Sequence, residues 1–165
     1  MIYYFAYGSN MFTHRFKNRV PSAEVAGTKC LSGYDLRWHK VSNKDGSGKC
    51  DIFRTGNTED LVRGVLYRID RNHVHLLDKA EGCGNGYRRI ILNHGFNNSH
   101  IKVFSYTATK IDYDLLPFNW YKMYVLQGAK NHDLPEPYIS KISLVPSKKD
   151  PDRDRAQKHF KVLSS

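Results

Sequence analysis

The apolar and polar positions of the chain fall into two periods, and the first segment shows how one passes into the other. Residues 2–7 (IYYFAY) are an unbroken run of β-branched, aromatic and small apolar side chains, the pattern of a strand covered on both faces. Gly8 then permits a sharp turn and a close approach to the backbone. Ser9 and Asn10 are helix N-cap types, and Met11, Phe12 and Phe16 recur behind them at helical spacing, so a short helix is expected to start there. Strand, glycine and helix start in that order form a nest of free N–H groups suited to a carboxylate or a developing oxyanion. An ordinary connection between two elements has the same pattern.

After a break at Val20, Pro21 and Ser22, residues 24–38 read as one or two strands interrupted at Ser32 and Gly33. Residues 40–49 (KVSNKDGSGK) are polar and glycine-bearing and predict a solvent loop. Strands are expected at 50–55 and 61–69. Asp70 is placed to cap a short helix carrying Val74, Leu76, Leu77 and Ala80; Gly82 stops it, and Glu81 is its last residue. A loop with three glycines (EGCGNG, residues 81–86) leads to strands at 88–92 and 101–107, with a turn at 94–99 between them. Trp120, Tyr121, Tyr124 and Val125 recur at three and four in a helical stretch from Pro117 to its end at Gly128, and residues 135–142 form another. From Ser147 the chain is charged and mixed in sign, which predicts a surface helix or a loosely docked tail over 147–165. The expectation is a single α+β domain over 1–165, with strands outnumbering helices and helices as surface covers.

Composition narrows the function classes. A chain of 165 residues can bury roughly 70% of its unfolded surface and hold a true core. With 11 Tyr and 8 Phe, both core and cleft should be aromatic. There is no apolar run of membrane-spanning length, no charged leader and no small-residue cleavage site, which together predict a soluble, unprocessed, cytoplasmic protein with no membrane partner. Cys30, Cys50 and Cys83 are irregularly spaced and read as reduced thiols, and no metal signature is present. The net charge of +10 is spread along the chain: Lys and Arg against Asp and Glu number 9 to 6 over 1–60, 8 to 3 over 61–110 and 9 to 7 over 111–165. Nucleic-acid binders concentrate their charge, so no nucleic-acid partner is expected. A solvated basic surface and attraction of small anionic substrates both fit these numbers.

Four separated blocks resemble one family, the γ-glutamylcyclotransferases. YFAYGSNM (residues 4–11) looks like its N-terminal signature, and NRVPSA (18–23) like the segment after its first helix. LDKAEG (77–82) resembles the block around its catalytic glutamate. Tyr121 and Lys122, then Gly128, Ala129 and Lys130, then Leu134, Pro135 and Tyr138, are similar to its C-terminal helical region. The blocks occur in family order. The resemblance implies a small mixed β-barrel flanked by short helices, conversion of a γ-glutamyl amino acid to 5-oxoproline and a free amino acid, and no cofactor or metal. Carried over residue by residue, it makes Glu81 the catalytic base, places Tyr4, Phe5, Ala6, Tyr7, Gly8 and Ser9 in the substrate loop, and adds Tyr121 to the site wall. The loop between Glu81 and Tyr87 departs from the family's length, so Tyr87 is not carried over. The implied partner is a small-molecule γ-glutamyl substrate, and a homodimer is compatible with it. Alternatives on the same fold are a cyclotransferase for γ-glutamyl amines, an enzyme removing a γ-glutamyl protecting group, and a binding relative without catalysis.

The chemistry asks for these residue types. The substrate's α-amine must lose a proton, attack its own γ-carbonyl and expel the second amino acid, so a carboxylate base, oxyanion donors and a shaped wall are needed. A carboxylate between an apolar helix face and a glycine loop loses hydration, which makes it a better base. Ser9 as a hydrolase nucleophile is the rival reading of the loop, with His39, His94 or His132 as its base; no GxSxG elbow accompanies it.

Overall fold

The computed structural model describes residues 1–92 and 102–165. The turn expected at 94–99 and the start of the strand expected at 101 lie outside the described residues.

The first apolar run forms β1 (Ile2–Ala6). It lies in the middle of a five-stranded sheet because nothing in it needs water. On one side it pairs antiparallel with β5 (Leu61–Ile69), Phe5 opposite Leu66; on the other it pairs parallel with β7 (Val103–Ala108), Tyr4 opposite Phe104. β2 (Glu24–Ser32) and β6 (Tyr87–Ile91) are the outer strands, giving the order β2-β5-β1-β7-β6. β3 (Tyr34–Val41) and β4 (Gly48–Arg54) form a separate two-stranded ribbon. Among the described residues the sheets do not close: β2 and β6 are not paired to one another, so the architecture is α+β with an open mixed sheet and a ribbon, not the small β-barrel implied by the resemblance.

Five helices cover this framework among the described residues. A single 3-10 turn (Ser9–Met11) precedes α1 (Thr13–Arg19), so the helix expected at Ser9 begins four residues later, with Phe12 as its N-cap. α2 (Val74–Glu81) ends where Gly82 takes a left-handed conformation, φ 66°, and its preceding turn is capped by the Asp70 side chain. α3 (Asn119–Asn131) buries Trp120, Tyr121, Tyr124 and Val125. It does not end at Gly128. That glycine sits mid-helix because a Cβ there would lie 2.6 Å from the backbone of Met11 and Phe12; the missing side chain lets α3 press on the turn after β1. α4 (Glu136–Ser143) and α5 (Arg153–Leu163) follow.

Two polar stretches are better ordered than their composition suggests. Residues 40–49 are a solvent loop only in part: 42–47 form the turn between β3 and β4, with Asn43, Lys44 and Gly46 exposed. Lys40 lies in β3, Lys49 in β4, and Lys40, Ser42 and Ser47 are all buried. Of the two alternatives for the terminal segment the structure shows the surface helix, α5, and it is docked rather than loose. Asp150 is buried and accepts hydrogen bonds from Trp120 Nε1 (2.8 Å), Arg155 Nε (2.7 Å) and the backbone N–H of Asp152 (2.9 Å), while the His159 ring stacks on Trp120 at 3.7 Å. The Arg155–Asp150 ion pair, the hydrogen bond from the buried Trp120 indole and the packing of Ala156, Val162 and Leu163 against the core dock this helix.

Candidate active site

The turn after β1 and the end of α2 meet at a narrow recess lined by Tyr4, Tyr7, Gly8, Ser9, Asn10 and Glu81, with Cys50, Tyr87, Tyr106 and Tyr121 opposite. Its two halves come from distant segments, brought together by the pairing of β1 with β7 and by α2. Tyr106 on β7 donates to Asp78 Oδ1 on α2 at 2.6 Å, and Arg89 on β6 pairs with the same carboxylate. These contacts fix α2, and with it Glu81, against the sheet.

Glu81 is bound on one oxygen only. Its Oε1 accepts from Asn10 Nδ2 at 2.8 Å and lies 3.3 Å from the Arg19 guanidinium, while Oε2 has no protein partner among the described residues. The side chain is 16% exposed. Asn10 is the hub of this cluster: its amide also donates to the Tyr4 hydroxyl at 3.0 Å, and its carbonyl accepts from Arg19 at 2.9 Å. The backbone N–H groups of Gly8, Ser9 and Asn10 make no backbone hydrogen bond among the described residues.

The opposite wall is held through Cys50. Its N–H donates to the Tyr121 hydroxyl at 3.0 Å, and its carbonyl accepts from the Tyr87 hydroxyl. Tyr7 donates to the Tyr106 carbonyl at 2.7 Å. Burial, first among several causes, pushes the hydroxyls of Tyr4, Tyr7, Tyr87 and Tyr121 well above the usual phenol range, so they are neutral walls and hydrogen-bonding groups and cannot serve as bases. Burial likewise pushes the Cys50 thiol up, which removes it as a nucleophile. Among the described residues Ser9 has no histidine within hydrogen-bond distance: His39 and His132 bond Asp51 and Thr13 instead, and His94 lies outside the described residues.

The structure therefore brings Tyr4, Tyr7, Gly8, Ser9, Tyr121 and Glu81 to one recess. Phe5 and Ala6 are not in its lining. Strand alternation turns Phe5 away from the face that Tyr4 and Tyr106 share, and both residues are fully buried in the core. Sequence reasoning passed over Asn10, Arg19, Tyr87 and Tyr106. Asn10 stands within the N-terminal signature but reads as a cap, and Tyr87 reads as the first residue after a loop of unfamiliar length. Nothing in the linear order marks Arg19 or Tyr106.

The recess opens into a wider cleft of about 460 Å³, with Ser9, Glu81, Tyr87 and Tyr121 common to both. The cleft is bordered by α1, the β3–β4 ribbon and α5.

Comparisons with known proteins point to one family. Residues 61–142 match the AIG2-like family. The γ-glutamylcyclotransferase of Mus musculus is 30% identical over 148 residues, covering 86% of this chain and 77% of the relative, and that of Bos taurus is also 30% identical with the same coverage. A solved γ-glutamyl cyclotransferase structure superposes with a TM-score of 0.83 at 26% identity, covering 97% of this chain and 98% of the other. The chain belongs to the γ-glutamylcyclotransferase family, and it is an enzyme of that class.

Proposed function

We propose that the protein converts a γ-glutamyl amino acid to 5-oxoproline and a free amino acid, with Glu81 as the base and the Gly8–Ser9 turn as the oxyanion site. The observation that carries this reading is the half-bound carboxylate: Oε1 is fixed by Asn10 and Arg19, and Oε2 is left for substrate in a recess walled by tyrosines.

In this reading Glu81 Oε2 takes a proton from the substrate's α-ammonium. The freed amine attacks the γ-carbonyl carbon, forming the ring C–N bond. Negative charge moves to the carbonyl oxygen, where the N–H groups of Gly8 and Ser9 stabilise it. Collapse breaks the bond to the leaving nitrogen, which receives the proton held by Glu81 and the second proton of the ring nitrogen, so the lactam forms neutral and the amino acid departs as an ammonium. Proton transfer is the demanding step, because an α-ammonium has a pKa of about 8 and an ordinary Glu about 4.3. Seating substrate in the recess expels water from around the carboxylate and favours proton uptake. The Arg19 guanidinium, 3.3 Å from Glu81 Oε1, helps hold that oxygen in place. Tyr4, Tyr7 and Tyr121 form rigid walls that hold the flexible glutamyl chain folded, and well-oriented intramolecular attack is worth roughly 7–11 kcal/mol.

The test is incubation with a panel of γ-glutamyl dipeptides and γ-glutamyl amines, followed by assay of 5-oxoproline. Release from the dipeptides supports the proposal. Hydrolysis to free glutamate, or no turnover of any member, contradicts it.

A further inference from the structure

The cleft beyond the recess carries more positive charge than chemistry at Glu81 uses. Arg15 and Arg19 come from α1, Lys40, Lys44 and Lys49 from the ribbon and its turn, and Arg155 from α5; Asp45 and Glu81 are the acids of the lining. Three of the cations are already paired: Lys49 with Asp45 at 2.9 Å, Arg19 with Glu81 at 3.3 Å, and Arg155 with Asp150 at 2.5 Å. Lys40, Arg15 and Lys44 have no carboxylate within ion-pair distance among the described residues.

Lys40 is the most telling of them. It is only 6% exposed, and its ammonium sits 4.4 Å from the centre of the Tyr87 ring, at the border between recess and cleft. An ammonium withdrawn from water without a counter-charge is costly unless something else supplies one. Burial pulls its pKa down, and Glu81 is the largest influence in the other direction. Arg15 repeats the pattern: its Nε is buried with no hydrogen-bond partner, its guanidinium lies 4.2 Å over the Tyr124 ring, and burial followed by repulsion from Arg19 lowers its pKa to about 10. His159 adds no charge at neutral pH, because burial and then Arg15 and Lys49 hold its pKa down to about 4.

The geometry also says which part of a substrate would meet these groups. The recess and the cleft share Ser9, Glu81, Tyr87 and Tyr121, so a leaving amino acid attached at the γ-carbonyl that extends past these residues enters the cleft. A cleft of about 460 Å³ is larger than a small neutral amino acid needs. We infer that the cleft is an acceptor subsite selective for γ-glutamyl compounds whose leaving amino acid carries a second carboxylate, with Lys40 and Arg15 as the residues that recognise it. The inference rests on the function proposed above. The acceptor's α-carboxylate and side-chain carboxylate supply the counter-charges that the protein withholds, and a cationic acceptor such as lysine is repelled.

The experiment compares γ-glutamyl-glutamate with γ-glutamyl-alanine at low ionic strength, following 5-oxoproline. The expected kcat/KM for the acidic compound is at least about tenfold higher, the factor that one additional well-placed charge contact of about 1.4 kcal/mol supplies. Lys40→Met should lower the acidic-to-neutral ratio at least about fivefold, and Lys40→Arg should retain most of it. Lys44→Ala, at an exposed position on the rim, should lower the ratio by a smaller factor with no change in melting, which keeps the test decisive if the Lys40 variants fold poorly. Equal turnover of the two compounds, or a ratio unmoved by every variant, overturns the inference and leaves the proposed reaction standing. No 5-oxoproline from either compound removes the reaction itself.

Discussion

Asn10 and Glu81 stand 71 positions apart in the chain, and the Asn10 amide donates to Glu81 Oε1 at 2.8 Å. Through this bond the turn after the central strand aims the carboxylate at the end of α2. Because Asn10 also holds Tyr4 and Arg19, one short side chain sets the relative position of base, wall and cation.

Asn10 is thus a positioning residue. Asn10→Ala leaves Oε1 bound by Arg19 alone, so Glu81 should swing. The expected outcome is a fall in kcat of about 10- to 100-fold, the scale of a small misplacement of a catalytic group, with KM within about threefold of the parent. Steady-state kinetics checks this. A proportionate rise in KM with kcat intact would mean that Asn10 serves binding instead.

Gly8 is kept bare by its neighbours rather than by its backbone angles, since its φ of −118° is open to any residue. A Cβ at this position would lie 3.0 Å from Cys50 Cβ and 3.3 Å from the Tyr121 hydroxyl. Gly8→Val should push the two walls of the recess apart. Activity should fall by more than about 100-fold, while overpacking costs about 1–3 kcal/mol of stability. Measured turnover close to the parent's, in a variant that still melts cooperatively, would take this turn out of the site.

The docking of α5 should depend on acid. Hydrogen bonds from Arg155, foremost, with Trp120 and the Asp152 N–H, hold the Asp150 carboxyl at about 2 against the opposing effect of burial. A carboxyl whose folded pKa is depressed contributes stability that is complete above its unfolded value of about 3.9 and is lost as pH falls from there through about 2. Tryptophan fluorescence across that window should report release of Trp120 in the parent. In Asp150→Asn the acid dependence should flatten, and stability at pH 7 should drop by about 2 kcal/mol, the usual worth of a charged hydrogen bond. An unchanged acid transition in that variant would assign it to other carboxylates.

Local pattern carried the sequence reading a long way. β1, α2 and its stop at Gly82 follow from an apolar run, an Asp cap and a glycine, each within a few residues. Three features were not legible because their causes are distant in the chain. Gly128 reads as a helix end until Met11 and Phe12 are seen against it. Residues 40–49 read as solvent-exposed because polar composition cannot reveal that Lys40 packs over Tyr87. The positive charge is spread evenly in sequence, yet α1, the ribbon and α5 fold it into one cleft. The candidate site was legible where its residues are contiguous, as in Tyr4, Tyr7, Gly8 and Ser9. It was not legible where contact alone defines it, as for Arg19 and Tyr106.

The most direct measurement of the account is the kcat of Glu81→Gln on a γ-glutamyl dipeptide that the parent converts to 5-oxoproline. Gln keeps the shape and the hydrogen bond from Asn10 but cannot take the ammonium proton. The predicted result is a loss of about 10²- to 10⁴-fold in kcat, the worth of a positioned general base, with folding intact and KM little altered. Turnover within threefold of the parent would contradict the account and show that the proton leaves the substrate by another route.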